Sequence, residues 1–229
     1  MDLIHESYQA HFFCDNSDIL ATPIVLSQLL EALAGFGVMP TLGNEINART
    51  AEKKQFIIML STDEKLRIEF PNDRIVVASE GKTIEEFSAL LAPIMDRLSS
   101  GFPAKSGIRM SIVTTKLYSG NSQEYDDLYD KLFTYRKVKP FEWDNRIVLR
   151  ENLDGEAINV VSTIRRCEAS IGFINNGSTS DIILSEVDIN TSPRNIAARF
   201  PISDSVRVFD ELLQLNTKSR EELNRYFDN

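Results

Sequence analysis

A chain of 229 residues with 42% hydrophobic and 26% charged side chains has enough apolar material for a sizeable buried core, and lacks the bias of a disordered or fibrous protein. Its formal net charge of −9 opposes the phosphate backbone of nucleic acids, and the acidity is concentrated, residues 1–101 holding 15 Asp and Glu against 8 Lys and Arg. Two cysteines, Cys14 and Cys167, far apart and without metal-type spacing, argue against a disulfide framework or zinc site, and no stretch approaches the ~18 apolar residues of a membrane span. With no basic region or long apolar run in Met1–Glu6, a cytoplasmic location is expected, with neither membrane nor nucleic acid as partner.

The β-formers from Leu3 to Phe13 predict a first strand. Its histidines, His5 and His11, share a face but lie about 20 Å apart at ~3.3 Å per residue, too far to hold one metal ion. Thr22-Pro23 opens a helix, with a side-chain cap and a proline where no N–H is missed. Ile24, Leu26, Leu29, Leu30 and Leu33 supply its apolar stripe, and Gly35 or Gly37 ends it. Met39 to Lys54 is weakly patterned, with a short strand expected near Thr41 to Ala48.

Gln55 to Ser79 predicts a three-strand antiparallel meander. Phe56 to Leu60 is a continuous apolar run, Thr62-Asp63-Glu64-Lys65 a polar turn, and Leu66, Ile68 and Phe70 alternate with Arg67 and Glu69. Pro71-Asn72-Asp73-Arg74 then turns the chain into Ile75-Val76-Val77-Ala78. Thr83, with Glu86 three residues on, is a capping box opening a helix of Phe87, Leu90, Leu91, Ile94, Met95 and Leu98, in which Pro93 predicts a kink. Gly101 to Gly107 reads as a linker near mid-chain.

Beyond it, Ile108 to Leu117 predicts a strand, and Asn121 with Glu124 caps a helix of Tyr125, Leu128, Tyr129, Leu132 and Phe133. Trp143 to Arg150 and Ala157 to Arg166 pair around Asp154-Gly155, and Ile171 to Ile174 is expected to pair with Ile182 to Ile189. A last helix starts at Ser203 or Asp204, and a box of Ser219 and Glu222 restarts it. Each half, 1–101 and 102–229, therefore reads strand, helix, antiparallel strands, helix. The expected class is α+β, an antiparallel sheet with helices on one face, the two half-units forming one intimate domain.

This order resembles the duplicated half-units of the TATA-binding-protein fold, which implies one curved sheet with helices on one face and the other face open; such likeness of topology implies no function. The helix Thr83 to Leu98 followed by Gly107-Ile108-Arg109-Met110, the strand Ser185 to Asn190 and the closing helix resemble a sporadically distributed family of bacterial proteins of unknown function. That resemblance implies an accessory protein carried on variable gene clusters, of the kind that include antiviral defence systems, with no catalytic residues to transfer.

No phosphate loop, Ser-His-Asp arrangement, HExxH or Cys-x-x-Cys is present, so no catalytic residue, metal or cofactor is expected. Glu186, Asp188 and Asn190 share a strand face and are suited either to a hard cation or to plain solvation, the latter expected. Asp126, Asp127 and Asp130 suit the start of a helix dipole. Arg165, Arg166, Arg194 and Arg199 are the candidates for a phosphorylated or nucleic-acid ligand. Arg165 and Arg166 point to opposite strand faces, however, and ion pairs to the acidic half are expected. The favoured reading is a non-catalytic interaction module. Phe56, Ile57, Ile58, Met59, Leu60, Ile75, Val76 and Val77 are apolar at successive positions, so residues pointing away from the helices need a second cover: the segment Met39 to Lys54, a protein partner or a homodimer mate.

Overall fold

The computed structural model describes residues 1–46, 51–170, 172 and 177–227. In chain order these form β1 (Asp2–Phe13), α1 (Pro23–Ala32), β2 (Val38–Ile46), β3 (Lys53–Ser61), β4 (Leu66–Phe70), β5 (Ile75–Glu80) and α2 (Ile84–Gly101). Then follow β6 (Ser106–Gly107), β7 (Arg109–Ser119), α3 (Ser122–Leu132), β8 (Trp143–Leu153), β9 (Glu156–Ser170), β10 (Thr179–Thr191), β11 (Phe200–Pro201), a 3-10 turn (Ile202–Asp204) and α4 (Ser205–Asn224). The protein is α+β: nine strands make one antiparallel sheet in the order β2-β3-β4-β5-β1-β7-β10-β9-β8, while β6 and β11 form a small separate ladder. The first strands of the two halves, β1 and β7, pair at the middle, and the others fan outward in mirrored order. Among the described residues no helix is long and apolar enough to cross a membrane.

Local chemistry explains most boundaries. The Thr83 side chain accepts from the Glu86 N–H at 3.2 Å while Glu86 accepts from the Thr83 N–H at 2.8 Å, and Asn121 and Glu124 repeat the device at 3.1 and 2.9 Å. The β8–β9 hairpin closes on two residues with positive φ, Asp154 at 50° and Gly155 at 86°, as a turn matched to strand twist requires. Two expectations about helices fail. α1 buries Leu29 and Leu33 with Val25 and Leu26 against the core, leaving Ile24 73% exposed, because the stripe follows the i, i+4 line through Val25. α4 continues through Ser219 without a second start, so that serine caps nothing. α2 extends beyond Pro93 to Gly101.

The supposed linker is fastened. Lys105 is buried, its Nζ reaching the Asp15 carbonyl at 2.8 Å and Asp18 at 2.7 Å, and Ser106-Gly107 pairs with β11. The strand expected at Ile171 to Ile174 falls, Gly172 apart, outside the described residues; β10 pairs with β9 and β7. The weak pattern near Thr41 is β2, which starts earlier, at Val38.

Strand alternation sets the core. Tyr8, Ala10, Phe12, Ile57, Met59, Ile68, Ile75, Val77, Met110, Ile112, Val187 and Ile189 point to one face and join Phe87, Leu91, Ile94, Leu98, Phe209 and Leu212 of α2 and α4 in one cluster spanning both halves. A second cluster, Tyr118, Tyr125, Leu128, Tyr129, Trp143, Ile164 and Ile183, lies under α3 on the same face. Buried Asn216 ties α4 down, accepting from Thr114 Oγ1 at 2.8 Å and donating to the Val187 carbonyl at 3.2 Å.

Candidate functional site on the uncovered sheet face

Among the described residues the opposite face carries no helix, and its side chains can be followed in rows through the ladder register. One row crosses all nine strands as Thr41, Ile58, Glu69, Val76, His11, Ser111, Asn190, Asn159 and Arg150. Its neighbour runs Met39, Leu60, Arg67, Ala78, Gln9, Val113, Asp188, Val161 and Val148. The face thus has an apolar wing over β2 and β3, a polar middle and, on β8 and β9, a charged margin where Arg146, Arg150 and Arg165 stand with Asp144.

This geometry sorts the apolar candidates. Phe56, Ile58, Leu60 and Val76 lie on the uncovered face; Ile57, Met59, Ile75 and Val77 point under the helices, are 0–1% exposed and belong to the core. Segment Val38–Ile46 is no cover, because it pairs in plane with β3 as an edge strand. The second cover is partly supplied by neighbours. Val76, 6% exposed, sits between Glu69 and His11 in its row, and Arg67 spans Glu69 and Glu80 at 3.9 and 3.8 Å. Long side chains lying along a sheet bury apolar neighbours without a further layer. Phe56, Ile58 and Leu60 remain half-buried and Met39 is 64% exposed.

The polar middle is a hydrogen-bonded network that only register assembles. Asp188 accepts from Ser111 Oγ at 2.7 Å and from Asn190 Nδ2 at 3.0 Å, and Asn190 accepts from Asn159 Nδ2 at 3.1 Å. Asp188 is thereby occupied by its neighbours, and the described residues contain no group of three or more His, Cys, Asp or Glu placed to hold a metal ion. Burial, then the charge of Asp188, pushes the Glu186 carboxyl above its usual range. Burial and then the Arg74 guanidinium hold His11 down at about 4, so its ring is neutral near pH 7; it contacts Gln9 at 3.1 Å. Phe13 beside it lies under both Arg109 and Arg74, 4.8 and 5.4 Å from its ring centre. The sequence signal for this band is the polar alternation Ser7, Gln9, His11 in an otherwise apolar sheet.

The four arginines do not converge. Arg165 is exposed on the uncovered face. Arg166, on the other face, is 6% exposed, holds Asp181 with two nitrogens at 2.8 to 3.3 Å, faces Asp126 at 3.7 Å and packs on the Tyr125 and Phe141 rings. Asp126 thus balances Arg166 besides suiting its helix start. Arg199 is bound to Glu156 at 2.6 and 2.9 Å, over the Phe200 ring. Both ion pairs stay within the second half, not with the acidic first half as expected. Arg194 lies in the exposed segment between β10 and β11. The thiol of Cys14 is pushed up to about 12 by burial and is no nucleophile.

Fold and site together define an antiparallel α+β protein whose nine-stranded sheet is layered, among the described residues, with helices on one side. No protein-family model matches the chain, and comparison with curated proteins gives no match. Among solved structures it is similar to a rolling circle replication initiator protein from Geobacillus stearothermophilus, at 12% identity over 94% of this chain and 85% of that one, with a TM-score of 0.29. A likeness that low does not bear on the site.

Proposed function

We propose that the protein is a non-catalytic interaction module, an accessory component that docks a protein partner on the uncovered face of its sheet. The observation that supports this is the one-sided layering: among the described residues every helix lies on one face, while the other presents Met39, Phe56, Ile58 and Leu60 beside a polar band. Charge favours a protein over a nucleic acid. On this face Lys54, Arg67, Arg109, Arg146, Arg150 and Arg165 are offset by Glu45, Glu69, Glu80, Asp144, Glu186 and Asp188, so there is no basic surface to neutralise a phosphate backbone. Mixed charge around an apolar patch is the composition of a protein-binding surface.

The test is affinity capture from the native host with the wild type, with Ile58→Asp and, as a control on the helix-bearing side, with Ser88→Asp on α2, where the serine is half-buried beside α4. Ile58→Asp should keep the melting temperature within about 2 °C, since its side chain is only half-buried, and should lose captured partners that Ser88→Asp retains. Retention of the same partners by a folded Ile58→Asp protein would overturn the proposal.

A further inference from the structure

The two outer edges of the sheet are built differently. β3 is flanked by β2, which carries Pro40, a residue that blunts an edge. In the mirrored order β8 corresponds to β3, yet among the described residues no strand lies beyond it, and residues 133–142 between α3 and β8 form none. β8 is eleven residues long, contains no proline or glycine, and pairs with β9 without a register shift. Three successive apolar side chains stand exposed at its centre, Ile147 at 48%, Val148 at 45% and Leu149 at 53%. A long, regular, apolar edge is the kind that natural sheets ordinarily protect.

We infer that this edge is the interface with a second copy of the chain, the two β8 strands pairing antiparallel about a two-fold axis at Ile147. Backbone geometry supplies the first argument. In the two-residue hairpin, Leu153 and Glu156 are the hydrogen-bonded pair that closes the turn, so the odd-numbered residues of β8 bond to β9. The even-numbered residues, Asp144 to Asn152, then aim N–H and C=O outward. Antiparallel self-pairing centred on Ile147 sets even residues against even residues, as a regular ladder needs.

Charge supplies the second argument and favours this register over the two beside it. With Ile147 opposite its own copy, Asp144 meets Arg150 on both sides of the axis and Arg146 meets Val148, all on the uncovered face. Moving the axis to Val148 sets Arg146 against Arg150, and moving it to Arg146 sets that residue against itself; like charges directly opposite oppose pairing. On the helix-bearing face the chosen register sets Ile147 on Ile147 and Asn145 on Leu149, beside a cleft of about 270 Å³ walled by Leu215, Lys218 and Glu222 of α4. The interface is isologous, as two-fold dimers are. It uses the rim of the sheet, not its face, and stands independently of the partner proposed above.

The test is sedimentation equilibrium across about 1–100 μM protein, with far-UV circular dichroism and thermal melting as controls for folding. Wild type should be dimeric at the upper end of that range. Arg150→Asp, which sets Asp against Asp at both ends of the ladder, should weaken association at least tenfold with the melt of the monomer unchanged. The double exchange Asp144→Arg with Arg150→Asp should restore it, because the pair is re-formed with reversed polarity. Val148→Pro removes an outward N–H that the monomer does not use and should give a folded monomer. A wild type still monomeric at 100 μM, an Arg150→Asp protein that dimerises undiminished, or a double exchange that fails to recover would each overturn the inference. Ile58→Asp should dimerise normally, which separates this interface from docking on the sheet face.

Discussion

Arg166 tests whether an arginine in the second half serves a ligand or the fold. Its side chain is 7% exposed, and Asp181 and Asp126, the carboxylates that balance it, are 29% and 35% exposed. Removing one partner of a fully buried pair costs about 3–5 kcal/mol, because the other is left charged in a poor solvent. Here both carboxylates reach water and can rehydrate, which lowers the electrostatic share towards the ~1 kcal/mol of exposed pairs. Packing adds to it, since the guanidinium lies 4.9 Å from the Tyr125 ring centre and 5.0 Å from that of Phe141, contacts worth about 0.5–1 kcal/mol each at partly wet sites. Arg166→Ala should therefore cost about 2–3 kcal/mol. With a urea slope of about 2–3 kcal/mol/M the midpoint falls by about 1 M. Arg165→Ala, exposed on the other face, should stay within about 0.5 kcal/mol. A cycle with Asp181→Asn isolates the pair, and the double variant should be less destabilised than the sum of the singles. Equal midpoints for Arg166→Ala and wild type would refute the structural role and return Arg166 to the ligand candidates.

Two further outcomes follow from local geometry. Thr83→Ala removes one acceptor of a complete capping box on the helix that covers the meander and should lower stability by about 0.5–2 kcal/mol; an unchanged urea midpoint would show that the cap contributes nothing. His11 has a folded pKa of about 4, below its unfolded value near 6.5, so between those values the unfolded chain takes up a proton that the folded chain refuses. Stability should fall as pH drops from about 6.5 to about 4, by at most about 3 kcal/mol from this residue, while Glu186, whose carboxyl is shifted upward, works in the opposite sense. Urea titrations at pH 7 and pH 4.5 should show a smaller acid loss for His11→Gln than for wild type, and parallel losses would contradict the assignment.

Features written within about ten residues are legible in the sequence alone. The meander from Phe56, both capping boxes, the Thr22-Pro23 start and the Asp154-Gly155 hairpin rest on side chains acting on their own backbone, and the α+β class follows from their order. The stripe of α1 is not legible in that way, because Ile24, Val25, Leu26 and Leu29 supply apolar residues to more than one helical face, and only the position of the core selects Val25 and Leu29. The Gly101 to Gly107 segment has linker composition but is held by Lys105 reaching Asp15 and Asp18, residues of the other half that no local pattern connects to it.

What the sequence by itself determined is the set of strands, their alternation and their turns, because those depend on steric and hydrogen-bonding preferences of near neighbours. Which alternating set is core and which is surface was decided only by tertiary structure: the pattern 56–60 is apolar at every step, and the burial of Ile57 and Met59 in the core under the helices is what leaves Ile58 outside. Register likewise joins His11, Ser111, Asn190 and Asn159 into one row, though they come from four different strands, the first of them in the other half of the chain. Strand order, a property of long-range pairing alone, leaves β8 at the margin with its outward backbone and its Asp144 and Arg150 in reach of another chain.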